Sequence, residues 1–206
     1  GEGKALRLSL RPEPGDPPIS IYIGSLSPRM LALTGEVADG WLGTSFVPEG
    51  AASSLDALSD GASRAGRSLV DLDLCQGAEV AFARDEEELA AMVDARRSGL
   101  AFSLGGMGSA DTNFYNDAYS RQGFAEVAAE SQRLWLAGDR KAAAEVVPDE
   151  MVLATTLLGT ESQIADRLRV WAGAGITQIR LYPAGKDFNE RLDTLGRALD
   201  LVRGLE

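Results

Sequence analysis

From residue 19 onward, short runs of β-branched and aromatic residues alternate with longer stretches whose apolar positions recur every three or four residues. Ile19-Ser-Ile-Tyr-Ile23 reads as a strand stopped by Gly24. Pro28 suits the first turn of a helix, where its missing N–H costs nothing. Met30, Leu31, Leu33, Thr34, Val37 and Ala38 continue at helical spacing until Asp39-Gly40. Trp41-Leu-Gly-Thr44 is a second short strand. Residues 48–65 follow as a helix ending at Gly66, with Leu55 and Leu58 on its buried side. Residues 71–83 form a third strand region, in which Gly77 marks a bulge or a close approach to the backbone. Asp85-Glu-Glu-Glu88 opens the next helix, carboxylates favouring the positive end of the helix dipole.

The alternation then breaks. Residues 98–160 read as a mostly helical insertion, with a loop at GGMGSADTN and helices at Phe114–Tyr119, Ala125–Leu136 and Arg140–Val146. Thr160-Glu-Ser-Gln is a capping box for a helix through Ala172, and Ile176–Tyr182 is the last strand. Residues 187–205 close the chain as an amphipathic helix with Leu192, Leu195, Leu199 and Val202 as its stripe. Residues 1–18, rich in proline and glycine, read as an extended arm. The whole, 1–206, is one α/β unit of four strand–helix pairs, which implies a parallel sheet covered by helices. On pattern alone a free-standing doubly wound sheet and half of an eight-stranded barrel fit equally well.

Composition removes function classes. The net charge of -11 repels phosphate backbones and anionic lipid, against nucleic-acid and membrane-surface roles. No apolar run is long enough to span a bilayer. A single cysteine, Cys75, precludes an intrachain disulfide framework or a cysteine-based zinc site, and no metal is expected. The chain holds no histidine, so no imidazole base or histidine triad can come from it, and the catalytic group stays unassigned.

Three places could carry chemistry. The turn Gly24-Ser25-Leu26-Ser27-Pro28, with Arg29 beside it, joins a strand to a helix N-terminus. Free backbone N–H groups there, with the Ser25 and Ser27 hydroxyls, could hold an anion. A plain turn capped by Ser27 explains the same residues. Thr44 and Ser45 end the second strand, where barrels place ligands; a connecting loop is the simpler account. Gly105-Gly-Met-Gly108 with Asn113-Phe-Tyr115-Asn116 could line a pocket, or be a loop followed by a helix capped by Asn113. The acidic clusters read as solvated helix starts, and Arg29, Arg180 and Lys186 as surface charges.

Together these motifs carry a resemblance. Pro18-Ile-Ser-Ile-Tyr-Ile-Gly-Ser-Leu-Ser-Pro-Arg-Met-Leu followed by Gly35-Glu-Val-Ala-Asp-Gly-Trp-Leu resembles a stretch of luciferase-like monooxygenase-fold oxidoreductases. Gly105-Gly-Met-Gly with Asn113-Phe-Tyr-Asn116, Pro148-Asp-Glu150 and Leu158-Gly-Thr160 resemble the subgroup assigned to the deazaflavin coenzyme F420, mostly actinobacterial. The resemblance implies a (β/α)8 TIM-type barrel, of which this chain supplies roughly strands 5–8 plus the helical insertion. It implies hydride transfer between reduced F420 and a small organic substrate, with FMN as the alternative cofactor. A non-catalytic half-barrel is the competing reading.

The resemblance further implies that Gly24–Pro28 and Arg29 hold the cofactor and that Thr44, Ser45, Asn113 and Tyr115 face the substrate. Ser25 and Ser27 stand where such proteins usually carry Ala and Gly. The expected partners are the missing N-terminal half of the barrel or further copies of the chain as a homo-oligomer. The expected setting is the cytoplasm, with the fragment inactive on its own.

Overall fold

Five parallel strands form the sheet: β1 (Tyr22–Ile23), β2 (Gly40–Leu42), β3 (Asp73–Phe82), β4 (Leu157–Gly159) and β5 (Gln178–Pro183). The computed structural model describes residues 19–109 and 111–205, so the arm at 1–18 lies outside the described residues. β3 organises the sheet. Cys75 pairs with both Leu42 and Gln178, and Val80 with both Leu157 and Pro183. Therefore β2 and β4 share one edge of β3, at its two ends, while β5 runs along the other. Among the described residues the far edges of β1 and β5 have no strand beside them.

Register fixes which side each residue faces. Trp41, Leu74, Ala78, Val80 and Leu157 point to one side, where they pack with helices α1 (Pro28–Val37), α2 (Ala52–Arg64), α8 (Glu161–Gly173) and α9 (Phe188–Arg203). The opposite phase puts Asp73, Cys75, Gly77 and Glu79 beside Gln178, Arg180 and Tyr182 on the other side. A second core forms over the C-terminal end of that face. There Ala81, Leu158 and Val47 meet α3 (Glu86–Gly105), α4 (Phe114–Tyr119), α5 (Ala125–Leu136), α6 (Arg140–Glu145) and α7 (Asp149–Ala154). Glycines bring α1 onto α2: a Cβ at Gly35 would strike the Leu58 carbonyl, and one at Gly61 the Ala32 carbonyl.

Several expectations change. β4 is a fifth strand inside the stretch read as a helical insertion; three apolar residues between a short helix and a capping box show no alternation to read. β1 is two residues long, because β2 starts at Gly40, and Ile21 is tied instead to Asp39 through its N–H at 2.7 Å. The second helix begins as a single tight turn at Pro48–Gly50 before α2, and α7 was not foreseen. Gly77 makes no bulge: it pairs with Arg180 in an unbroken ladder, and a Cβ on it would press on Tyr182. The stripe on α9 is not buried, since Leu192, Leu199 and Val202 are exposed at the open β5 side, as Met30, Leu33 and Val37 of α1 are at the β1 side. The capping box at Thr160 forms, with Thr160 and Gln163 capping α8 reciprocally, and Asp85 caps α3 by accepting from the Glu88 N–H.

Candidate functional site

The C-terminal ends of β1 and β2 carry the site. Ser27 has the extended backbone of a helix cap, yet its side chain makes no capping bond, and Pro28 takes the first helical position. The Ser27 hydroxyl and the first N–H groups of α1 are therefore open to a ligand. Ser25 differs. Thr34 donates to the Met30 carbonyl at 2.8 Å, so in the 2.9 Å contact between the two hydroxyls Ser25 is the donor, and its proton is committed. Trp41 Nε1 donates to the Ser25 carbonyl at 3.0 Å and pins the turn to β2.

A cavity of about 380 Å³ opens on this turn. Gly24, Ser25, Leu26 and Ser27 form one wall; Met30, Leu42, Phe114 and Tyr115 make it apolar, and Thr44 lies at its margin. A second cavity, about 270 Å³, shares Thr44 and continues past Ser45 and Gly77 to Glu79, Arg96 and Ser103, with Tyr119 and Thr156 beyond. Burial pushes the Tyr119 phenol up to about 12, an effect its contact with Ser45 opposes. A larger cavity, about 970 Å³, lies elsewhere, between Val47, α5, α7 and Arg167. It contains none of the candidate residues, and its Arg167 is bonded to Glu49.

Ser45 has φ 52°, a left-handed conformation that a serine adopts only when its surroundings hold it. Gln122 supplies the hold. Its Nε2 donates to the Ser45 carbonyl at 2.7 Å and to Ala118 O at 2.9 Å, and its Oε1 accepts from the Val47 N–H at 2.7 Å. Gln122 sits in a widened turn, Ser120–Phe124, kinked at Gly123 with φ 103°. The adjacent Arg121 donates to the Leu26 carbonyl at 2.7 Å. One turn of the insertion thus grips both strand-end loops.

Of the residues singled out in the sequence, Gly24, Ser25, Leu26, Ser27, Thr44 and Tyr115 share the first cavity, and Thr44 and Ser45 line the second. Pro28 and Arg29 are exposed on the first turn of α1, outside the cavity lining. Asn113 is buried, and its amide is committed elsewhere. Its Oδ1 caps α4 through the N–H groups of Tyr115 and Asn116, and its Nδ2 donates to the carbonyls of Ser103 and Leu104. Arg180 is not a free surface charge: it is half-buried, donates to the Gly43 carbonyl at 3.2 Å and lies over the Tyr182 ring. Sequence reading missed Glu79, Arg96, Arg121, Gln122 and Tyr119. Glu79 alone had a signal, a carboxylate in phase with Gly77 in the middle of a mostly apolar strand. Among the described residues no group of three acidic, cysteine or histidine side chains could hold a metal. No helix there is long and apolar enough to cross a membrane.

The first cavity sets the uncapped α1 N-terminus, with the Ser27 hydroxyl, beside an apolar wall. That combination fits a phosphate-bearing cofactor with a flat ring system. Parallel strands with helices on their outer side and ligand loops at their C-terminal ends define the βα-barrel class of enzyme folds. The chain belongs to the luciferase-like monooxygenase family, whose family model matches residues 1–178. A Mycobacterium tuberculosis protein named provisionally as a coenzyme F420-dependent oxidoreductase is 35% identical over 181 residues, 87% of this chain and 51% of that protein. The solved coenzyme F420-dependent tetrahydromethanopterin reductase of Methanopyrus kandleri superposes with a TM-score of 0.66 at 23% identity, over 91% of this chain and 51% of that one. An F420-dependent secondary alcohol dehydrogenase, solved with an F420-acetone adduct, gives 0.63 at 16% identity, over 91% and 50%. These two likenesses establish the α/β barrel-type fold. The chain spans about half the length of the relatives it matches.

Proposed function

We propose that the chain is the C-terminal half of a coenzyme F420-dependent oxidoreductase acting on a small organic substrate. The observation that carries this reading is the cavity on the Gly24–Ser27 turn, with an open helix N-terminus at one end and an apolar wall beside it. The names of the relatives supply the deazaflavin. Bound there, it would provide two-electron hydride transfer, and the protein's part is binding, orientation and exclusion of water. Ser27 and the first N–H groups of α1 meet negative charge. Leu26, Met30, Leu42 and Tyr115 keep water from the ring. Tyr119 holds its proton throughout the neutral range at the floor of the adjoining cavity. Fluorescence titration of coenzyme F420 against the protein, with FMN in parallel, tests the assignment. Micromolar or tighter F420 binding is expected. Tight FMN binding with no detectable F420 binding overturns the cofactor and leaves only the family.

The same reading assigns a partner. Unpaired sheet edges are templates for association, and exposed apolar residues accompany both: Ile19, Ile21 and Val37 at β1, Tyr182, Phe188 and Leu192 at β5. The chain is accompanied by the N-terminal half of the barrel or self-associates through 19–23 and 176–182, and it does not turn over substrate alone. Sedimentation of the purified chain tests this. A compact, cooperatively unfolding monomer at micromolar concentration refutes it.

A further inference from the structure

The second cavity has a donor and acceptor pattern of its own. Ser103 donates its hydroxyl proton to the Gly99 carbonyl at 3.2 Å, Thr156 to Val152 at 2.7 Å, and Thr155 to Met151 at 2.9 Å. Each therefore turns only lone pairs toward the space it lines. Glu79 adds carboxylate oxygens, one of which accepts from Arg96 Nη2. Arg96 is held by this pair and by the Met92 carbonyl at 2.7 Å, which leaves its buried Nε–H without a partner. The lining thus sets a carboxylate and three acceptor-only hydroxyls beside the Thr44, Ser45 and Tyr119 hydroxyls, and its one guanidinium is already neutralised by its neighbour. An anion entering here would meet the Glu79 carboxylate and three sets of hydroxyl lone pairs. A neutral molecule with several O–H groups would find an acceptor for each, and one of its oxygens could accept from the Thr44 hydroxyl.

We propose that the cavity between Thr44, Glu79, Arg96 and Ser103 is a binding pocket for a small, neutral, multiply hydroxylated compound. It selects against carboxylates and phosphates. At about 270 Å³ it lies at the small end of ligand cavities. Thr44 belongs to both cavities, so a molecule here abuts whatever occupies the first. The substrate role of this compound rests on the oxidoreductase reading above; its binding does not.

The probes are xylitol and its carboxylate counterpart xylonate, titrated into the protein without cofactor and followed by saturation-transfer NMR. Xylitol is expected to bind at least tenfold more tightly than xylonate. Glu79→Gln removes the negative charge and frees Arg96, so it should weaken xylitol about tenfold and strengthen xylonate. Ser103→Ala deletes one acceptor and leaves the ion pair; it should weaken xylitol with xylonate unchanged, and it decides the matter if Glu79→Gln fails to fold. Native binding of xylonate equal to that of xylitol, no binding of xylitol, or variants that leave the preference unaltered each overturn the proposal. An F420 titration on the same samples separates the two readings. Xylitol binding without F420 binding refutes the F420 assignment and keeps the pocket, whereas F420 binding without xylitol binding refutes the pocket alone.

Discussion

Replacing Gln122 by leucine keeps most of its volume while deleting three hydrogen bonds from a side chain only 6% exposed. Val47 is itself buried, so its N–H would lose its partner. An orphaned buried donor costs roughly 1–3 kcal/mol, and each of the two deprived carbonyls about 0.5–1.5 kcal/mol. The sum centres on about 4 kcal/mol, and in a chain of this size each kcal/mol moves Tm by roughly 2–4 °C. Thermal unfolding followed by circular dichroism at 222 nm should therefore show a drop of roughly 10 °C. Gln122→Glu is the sharper probe. Its carboxylate still accepts from Val47, but it sets negative charge against the carbonyls of Ser45 and Ala118. The neutral acid is then the favoured form, and this variant should lose stability as pH rises from 4 to 8 while the native protein does not. A fall in Tm of less than about 2 °C for Gln122→Leu, where a single bond is worth about 1 kcal/mol, would show that the Ser45 loop holds its left-handed turn without Gln122.

Tyr119 sets an alkaline limit. Its phenol is raised from 10.0 to about 12 by burial, so the stability it contributes is complete below pH 10 and is lost as pH climbs toward 12. That loss is of order 2–3 kcal/mol, and Tyr119→Phe should flatten the denaturation midpoint across this window. Gly61→Val drives a branched side chain into the Ala32 carbonyl and should cost roughly 3 kcal/mol in urea unfolding at unchanged m; a loss under about 0.5 kcal/mol would mean that α1 and α2 slide apart freely. Ser27→Asp sets a carboxylate at the open α1 N-terminus and should weaken F420 binding at least tenfold, about 1.4 kcal/mol; unchanged affinity in a natively folded variant removes the turn from the site. Arg29→Glu and Arg121→Glu should each weaken F420 more at low than at high salt, since screening mutes exposed charge, and FMN should respond less.

Regular elements were readable where local chemistry decides them. Asp85 and Thr160 announce the starts of α3 and α8 because their caps depend on residues three positions away. The Gly24–Ser27 turn was legible as a strand-to-helix turn, since a strand, small residues and Pro28 specify it locally. What stayed hidden depends on contacts distant in sequence. Nothing around Leu157 shows that it will lie beside Val80. Nothing around Gln122 shows that its amide will hold Ser45, 77 residues away. The apolar stripe of α9 had the right period, but periodicity cannot say whether a neighbouring element covers it. Asn113 misled in the opposite sense, because an amide beside aromatic residues looks the same whether it caps a helix or faces a ligand.

The way β3 and β4 meet has an evolutionary consequence. The chain leaves the sheet after Phe82 and returns at Leu157, which pairs with Val80, two residues before that exit. Everything between these neighbouring points, α3 to α7 with its own core, is a cassette whose two ends lie close together on the sheet. Closing it costs little more entropy if it lengthens, because that cost grows only with the logarithm of loop length. Insertions, deletions or wholesale exchange of the roof can therefore accumulate without shifting the register of the strands beneath. Arg96, Ser103, Tyr119 and Gln122 travel with the cassette, whereas Gly24–Ser27 stays with the sheet. A lineage built this way can change what it accepts in the second cavity while keeping what it holds in the first.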